Sequence, residues 1–173
     1  MGRHMDVLGW NRLGHALIAG HLDIQSPTRP LDRPNMARLV FLDPHTRDLF
    51  TDWNDKAREA AAYLRLEAGR APNDPALSRL IGELSVHSPA FTALWAKHPA
   101  QDKTHGKRRF NHPLVGSLTL EYDTFRLSAG QVLITFSAER GTAAAAALDL
   151  LDRATTQPER HDPAPATTPV LAG

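Results

Sequence analysis

The chain has 173 residues, 42% of them hydrophobic and 23% charged, with Lys+Arg 20 against Asp+Glu 19 and no cysteine. That length suits one domain with a sizeable core, and the near-neutral balance argues against DNA binding by bulk electrostatics. Disulfides, thiolate nucleophiles and cysteine-ligated zinc or iron–sulfur sites are excluded, and with no spanning-length apolar run or secretory signal the simple reading is a cytoplasmic protein with no membrane contact.

In chain order, Met1 to Met5 read as a cloning remnant and are set outside the fold. Asp6–Asn11 reads as a short strand, with Val7 and Gly9 on one face and Leu8 and Trp10 on the other. Asn11 then caps a helix carrying Leu13, Ala16 and Leu17, which Gly20 stops. Ser26–Pro34 holds three prolines and is a loop, either lying over the core or standing open as a lid.

Three later segments share one device, an Asp or Ser followed by proline, which supplies a cap and a residue suited to the first helical turn. Asp43-Pro44 opens a helix whose stripe Leu49, Trp53, Ala57, Ala60, Leu64 and Ala68 runs to Gly69. Asp74-Pro75 opens a second with Leu77, Leu80, Ile81 and Leu84, and Ser88-Pro89 a third with Phe91, Leu94 and Trp95. All three are expected to pack on a sheet.

The sheet follows. A hairpin is expected around His105-Gly106, with arms near Ala100–Thr104 and Lys107–His112, and Pro113–Gly116 turns the chain. Leu118, Leu120 and Tyr122 alternate with Thr119, Glu121 and Asp123, then parity shifts to Phe125 and Leu127, which predicts a bulge near Asp123-Thr124. After Ser128-Ala129-Gly130 a last strand, Gln131–Ser137, places Val132, Ile134 and Phe136 on one face. An Ala-rich helix runs from about Thr142 to Ala154, giving one domain over 6–154, and 155–173 reads as a disordered tail.

Four stretches together resemble a known family: DVLGWN at Asp6–Asn11, LVFLDPHTRDLFTDW at Leu39–Trp53, the run Ala57–His98, and HPLVGSLTLEYD at His112–Asp123. In this order and spacing they resemble the ligand-binding domain of the MmyB-like transcription regulators. The resemblance implies an α+β, PAS-like fold: an antiparallel sheet with helices packed on one face. It also implies a sensor for a hydrophobic, fatty-acid-like small molecule in a bacterial regulator. Two departures stand out. The helix-turn-helix of the family is absent, since only five residues precede Asp6, so DNA contact would run through a module outside this chain. The family's strand before the DVLGWN stretch is also absent. The sheet is then incomplete, completed by a neighbouring chain, or closed by residues 1–5. That gap, with the apolar Ala-rich helix, points to a homodimer.

A ligand cavity would be lined by Trp10, Phe41, Trp53, Phe91 and Trp95, by Ala57 where small side chains leave room, and by Leu118, Leu120 and Tyr122 on the sheet. Against this, any single aromatic at helical spacing is more often plain core. The candidates to receive a carboxylate are Asn11, Arg58, His98 and His112.

Enzymatic patterns are missing: there is no G-x-S-x-G, no P-loop, no G-x-G-x-x-G and no H-E-x-x-H. His98, His105 and His112 recur every seven residues, but two fall at a predicted turn, so neither a metal nor a cofactor is expected. Glu121 and Asp123 read as a solvated sheet face, and Lys103, Lys107, Arg108 and Arg109 as a charged hairpin tip rather than a phosphate-binding surface. The alternative reading is a stand-alone binding protein or biosynthetic enzyme using the same cavity.

Overall fold

The structure is a computed structural model and describes residues 1–97, 104–127 and 130–156. Seven α-helices and a three-stranded antiparallel sheet make up the described fold, which is α+β. Helix α1 spans Arg12–Ala19, α2 Met36–Leu42, α3 Pro44–Leu49, α4 Trp53–Arg70, α5 Pro75–His87 and α6 Pro89–Ala96. Strands β1 His105–His112, β2 Gly116–Arg126 and β3 Val132–Ser137 follow in spatial order β1-β2-β3, and α7 spans Ala143–Thr156.

The caps do what their chemistry predicts. Asn11 accepts from the Gly14 N–H, Asp43 from Thr46, Asp74 from Ala76 and Leu77, and Ser88 from Phe91. Each of the last three precedes a proline at the first helical position, where no N–H is needed. Helix α2 was not anticipated: its cap is Asn35, whose side chain accepts from Ala37 and Arg38, directly after the proline-rich loop. That loop contains a single 3-10 turn, Ser26–Thr28.

The helix expected from Pro44 to Gly69 is two helices. Between them Phe50 forms an isolated antiparallel bridge with Phe110. Thr51 N–H donates to the Arg109 carbonyl at 3.2 Å, and the Asp52 carboxylate accepts from Arg109 Nε at 2.7 Å. Contacts with β1 thus replace helical hydrogen bonds, while the apolar spacing continues undisturbed across the break.

The core is divided. Helices α2, α4, α5 and α6 enclose one cluster, with Val40, Ala57, Ala61, Leu64, Leu84 and Phe91 buried in it. The sheet packs instead on α1, α3 and α7, around Leu17, Leu49, Phe50, Phe110, Leu118, Leu120 and Leu151. Helices α5 and α6 therefore rest on other helices, not on the sheet. Helix α4 stands between the layers, and Trp53 in its first turn touches both clusters.

Three sheet expectations are corrected. His105-Gly106 are the first residues of strand β1, not a turn, and its hairpin partner is β2, joined across residues 113–115 with Gly116 at φ +72°; the other proposed arm lies mostly outside the described residues. No bulge interrupts β2: pairing is continuous from Glu121↔Ser137 to Arg126↔Val132. Phe125 and Leu133, directly paired, therefore stand half-exposed on the outer face. The Asp6–Asn11 strand is reduced to one bridge, Asp6 with Asn35, because Asn11 already starts α1.

Residues 1–5 belong to the fold. Met5 is 3% exposed in the helical core, and its carbonyl accepts from Met36 N–H at 2.8 Å. Thr155 and Thr156 still lie in α7, and the rest of the expected tail lies outside the described residues.

Candidate ligand site

Strand β3 has β2 on one side only. On its other side Met1 pairs with Val132: the Met1 ammonium donates to the Val132 carbonyl at 2.8 Å, and Val132 N–H donates to the Met1 carbonyl at 2.8 Å. Alternation along the strand turns the amides of Ile134 and Phe136 toward the same side. A cleft of about 440 Å³ runs there, between β3, α1 and the segment through Asn11. Val7, Leu17, Ile18, Phe50, Ile134 and Phe136 give it apolar walls, and Trp10 and Asn11 border it. Its volume falls within the roughly 300–1,000 Å³ common for small-molecule sites.

A second cavity of about 70 Å³ adjoins it under the sheet, sharing Met1, Phe50, Lys56, Val132, Ile134 and Phe136 with the cleft. Arg108, 5% exposed, forms an ion pair with Glu59, and its guanidinium lies 4.8 Å from the Tyr122 ring centre. Burial, then the Glu59 charge, raises the Tyr122 phenol above its ordinary pKa. Arg126 also lines the cavity.

Lys56 belongs to both linings. It sits in the first turn of α4, where the helix dipole disfavours a cation, and its ammonium lies 5.7 Å from the Phe50 ring centre. Glu59 is one turn further on, but its carboxylate is committed to Arg108. Among the described residues no carboxylate forms an ion pair with Lys56. Burial, then Arg108, lowers its pKa to about 8, partly offset by Glu59. Sequence reasoning passed it over. Lys56 follows Trp53 by three residues and precedes Ala60 by four, so a cation sat on the apolar stripe itself, and that was the available signal.

The residues expected to line a cavity do not converge. Phe41, Trp53, Phe91 and Trp95 pack on one another in the helical layer: Phe91 lies 5.0 Å from Phe41 edge-on and 5.4 Å from Trp95 stacked, and Phe41 is 6.3 Å from Trp53. None borders either cavity. Ala57 is buried in the same core, and Leu118 and Leu120 fill the sheet core. Trp10 and Asn11 reach the cleft and Tyr122 the smaller cavity. The Trp10 indole N–H is held by the Ile24 carbonyl at 2.8 Å.

The polar candidates fare similarly. Arg58 is exposed and pairs with Asp55. His112 is buried and structural: its Nε2 meets the Ala16 carbonyl at 3.0 Å, and Leu114 N–H donates to Nδ1 at 3.2 Å. His98 lies outside the described residues, as does Lys103. Of the basic cluster, Lys107 and Arg109 are exposed, while Arg108 points inward because β1 alternates. Glu121 and Asp123 are exposed on the outer face. Among the described residues no group of three or more potential metal ligands converges, and no helix is long and apolar enough to cross a membrane.

The structure thus holds a cleft between the free side of β3 and α1, with apolar walls and Lys56 in its lining. The family model described as the MmyB-like transcription regulator ligand binding domain matches residues 1–151, and the chain belongs to that family. A comparison with curated proteins gave no match.

Proposed function

We propose that this domain senses a hydrophobic, fatty-acid-like molecule held in the cleft along β3, and passes the bound state to a DNA-binding module outside these residues. The cleft carries the reading: about 440 Å³ walled by Leu17, Ile18, Phe50, Ile134 and Phe136 is suited to an alkyl chain. The three-stranded antiparallel sheet with helices against it supports the PAS-like reading, and a bacterial, cytoplasmic regulator is part of the same proposal. Self-association is part of the proposal, since Phe125 and Leu133 expose apolar surface on the outer sheet face.

Native mass spectrometry followed by denaturing extraction tests it, with acyl-chain titration of the delipidated protein. A co-purifying or saturably binding acyl chain supports the sensor; an empty protein that binds none over the accessible concentration range rejects it. Light scattering at high protein concentration tests self-association, and a strictly monomeric mass rejects it.

A further inference from the structure

We infer that Lys56 is the anion receptor of the cleft: the guest is an amphiphile whose carboxylate or similar monoanionic head meets the Lys56 ammonium while its chain lies along β3. This rests on the cleft reading above and adds the head group and the residue that selects it.

The argument is one of charge placement. Beside Lys56 the cavity adjoining the cleft holds Arg108 and one carboxylate, Glu59. Glu59 is engaged by Arg108, so the Lys56 ammonium stands between an apolar cleft and an already satisfied ion pair. The Lys56 side chain is partly buried, with the Phe50 ring beside its ammonium, and a cation there runs against two local preferences, the apolar stripe and the helix dipole. Such departures are characteristic of sites that function. An anion entering from the cleft would supply the missing partner.

The polar surroundings sharpen the assignment. From α4 come Glu59 and Tyr63, from β1 Arg108, from β2 Tyr122 and Arg126, and beside β3 the Met1 ammonium tied to Val132. Around the Lys56 ammonium, Arg108 and Glu59 are paired with each other, and burial lowers the pKa of the Met1 amine. With a pKa near 8, Lys56 itself is mostly protonated at pH 7 and increasingly neutral above 8. Binding of an anion would restore the proton, so uptake accompanies association in that range.

The test compares dodecanoate with 1-dodecanol on the full chain, by calorimetry and by the fluorescence of Trp10, which borders the cleft. Wild type should bind the acid about 10- to 100-fold more tightly than the alcohol, the range for one charge-assisted hydrogen bond. Lys56→Met should erase that preference, with a thermal melt of the variant as the folding control, and Lys56→Arg should restore part of it. Between pH 7.5 and 9, proton uptake measured in buffers of different ionisation heat should appear in wild type and vanish in Lys56→Met; uptake that persists would assign it to Met1. If Lys56→Met keeps full preference for the acid, the inference is overturned while the cleft reading stands. If wild type binds neither compound, the cleft reading falls and the inference with it.

Discussion

The Lys56 ammonium lies 5.7 Å from the centre of the Phe50 ring, across the break between α3 and α4. Without that break Phe50 would not meet Phe110, and Lys56 would not face the cleft. The folded pKa, about 8, lies below the 10.5 of the unfolded chain, so the unfolded state holds the proton more tightly. Stability from this group therefore rises with pH between about 8 and 10.5. At about 1.4 kcal/mol per unit, the full gain is on the order of 3 kcal/mol. Urea midpoints of the ligand-free protein at pH 7.5 and pH 10, compared with Lys56→Met, isolate it. Equal pH dependence in the two proteins would show that Lys56 is solvated.

Phe91→Ala should cost about 3–5 kcal/mol, because Phe91 is 0% exposed, edge-on to Phe41 and stacked on Trp95. Acyl-chain affinity should be unchanged, since the aromatic set lies outside the cleft. Chemical denaturation and titration of the same variant separate the two effects, and a loss of affinity at intact stability would return these rings to the binding site.

Glu59→Gln leaves the Arg108 guanidinium buried without its carboxylate. The cost should be about 2 kcal/mol, below the roughly 3–5 of a fully buried pair, because the Glu59 side chain is 24% exposed. A double-mutant cycle with Arg108→Met measures the coupling, and additive effects would mean that the pair contributes nothing.

His112→Leu removes the Nε2 contact to the Ala16 carbonyl and the acceptor for Leu114 N–H. A loss of about 1–3 kcal/mol is expected, with no change in acyl binding, since His112 borders neither cavity. Thermal melts and ligand titration check both halves.

Asp74 is held below the ordinary carboxylate pKa by the Leu77 amide first and then by His4, whose Nε2 is 2.8 Å away. Its contribution is present above the unfolded value and lost as pH falls through the folded one. Asp74→Asn keeps a capping oxygen on α5 but no longer titrates. Between pH 5 and pH 2 it should lose less stability than wild type in denaturant titrations, and an unchanged acid profile would rule the link out.

The helices were legible because caps and spacing are local. Asn11, Asp74-Pro75 and Ser88-Pro89 each start a helix within one residue of expectation, and the alternation of Leu118, Leu120 and Tyr122 marks the buried face of β2. What stayed hidden depends on distant partners. The break at Phe50 exists because β1 offers hydrogen bonds sixty residues away in sequence, and periodicity does not register such an offer. The parity shift at Phe125 looked like a bulge only because an apolar pair is left facing outward. Of the expected lining, Trp10 and Asn11 border the cleft and Tyr122 the smaller cavity, while Phe41, Trp53, Phe91 and Trp95 pack on one another instead. Lys56 was missed because a lysine on a helix is ordinarily assigned to solvent.

Helix α4 has a further consequence. It is one uninterrupted rod of 18 residues, about 27 Å long, with Lys56 near one tip and Arg65 resting 4.2 Å over the Trp95 ring further along. That single element spans both layers, so the lining of the cleft and the aromatic cluster of the helical layer share one backbone.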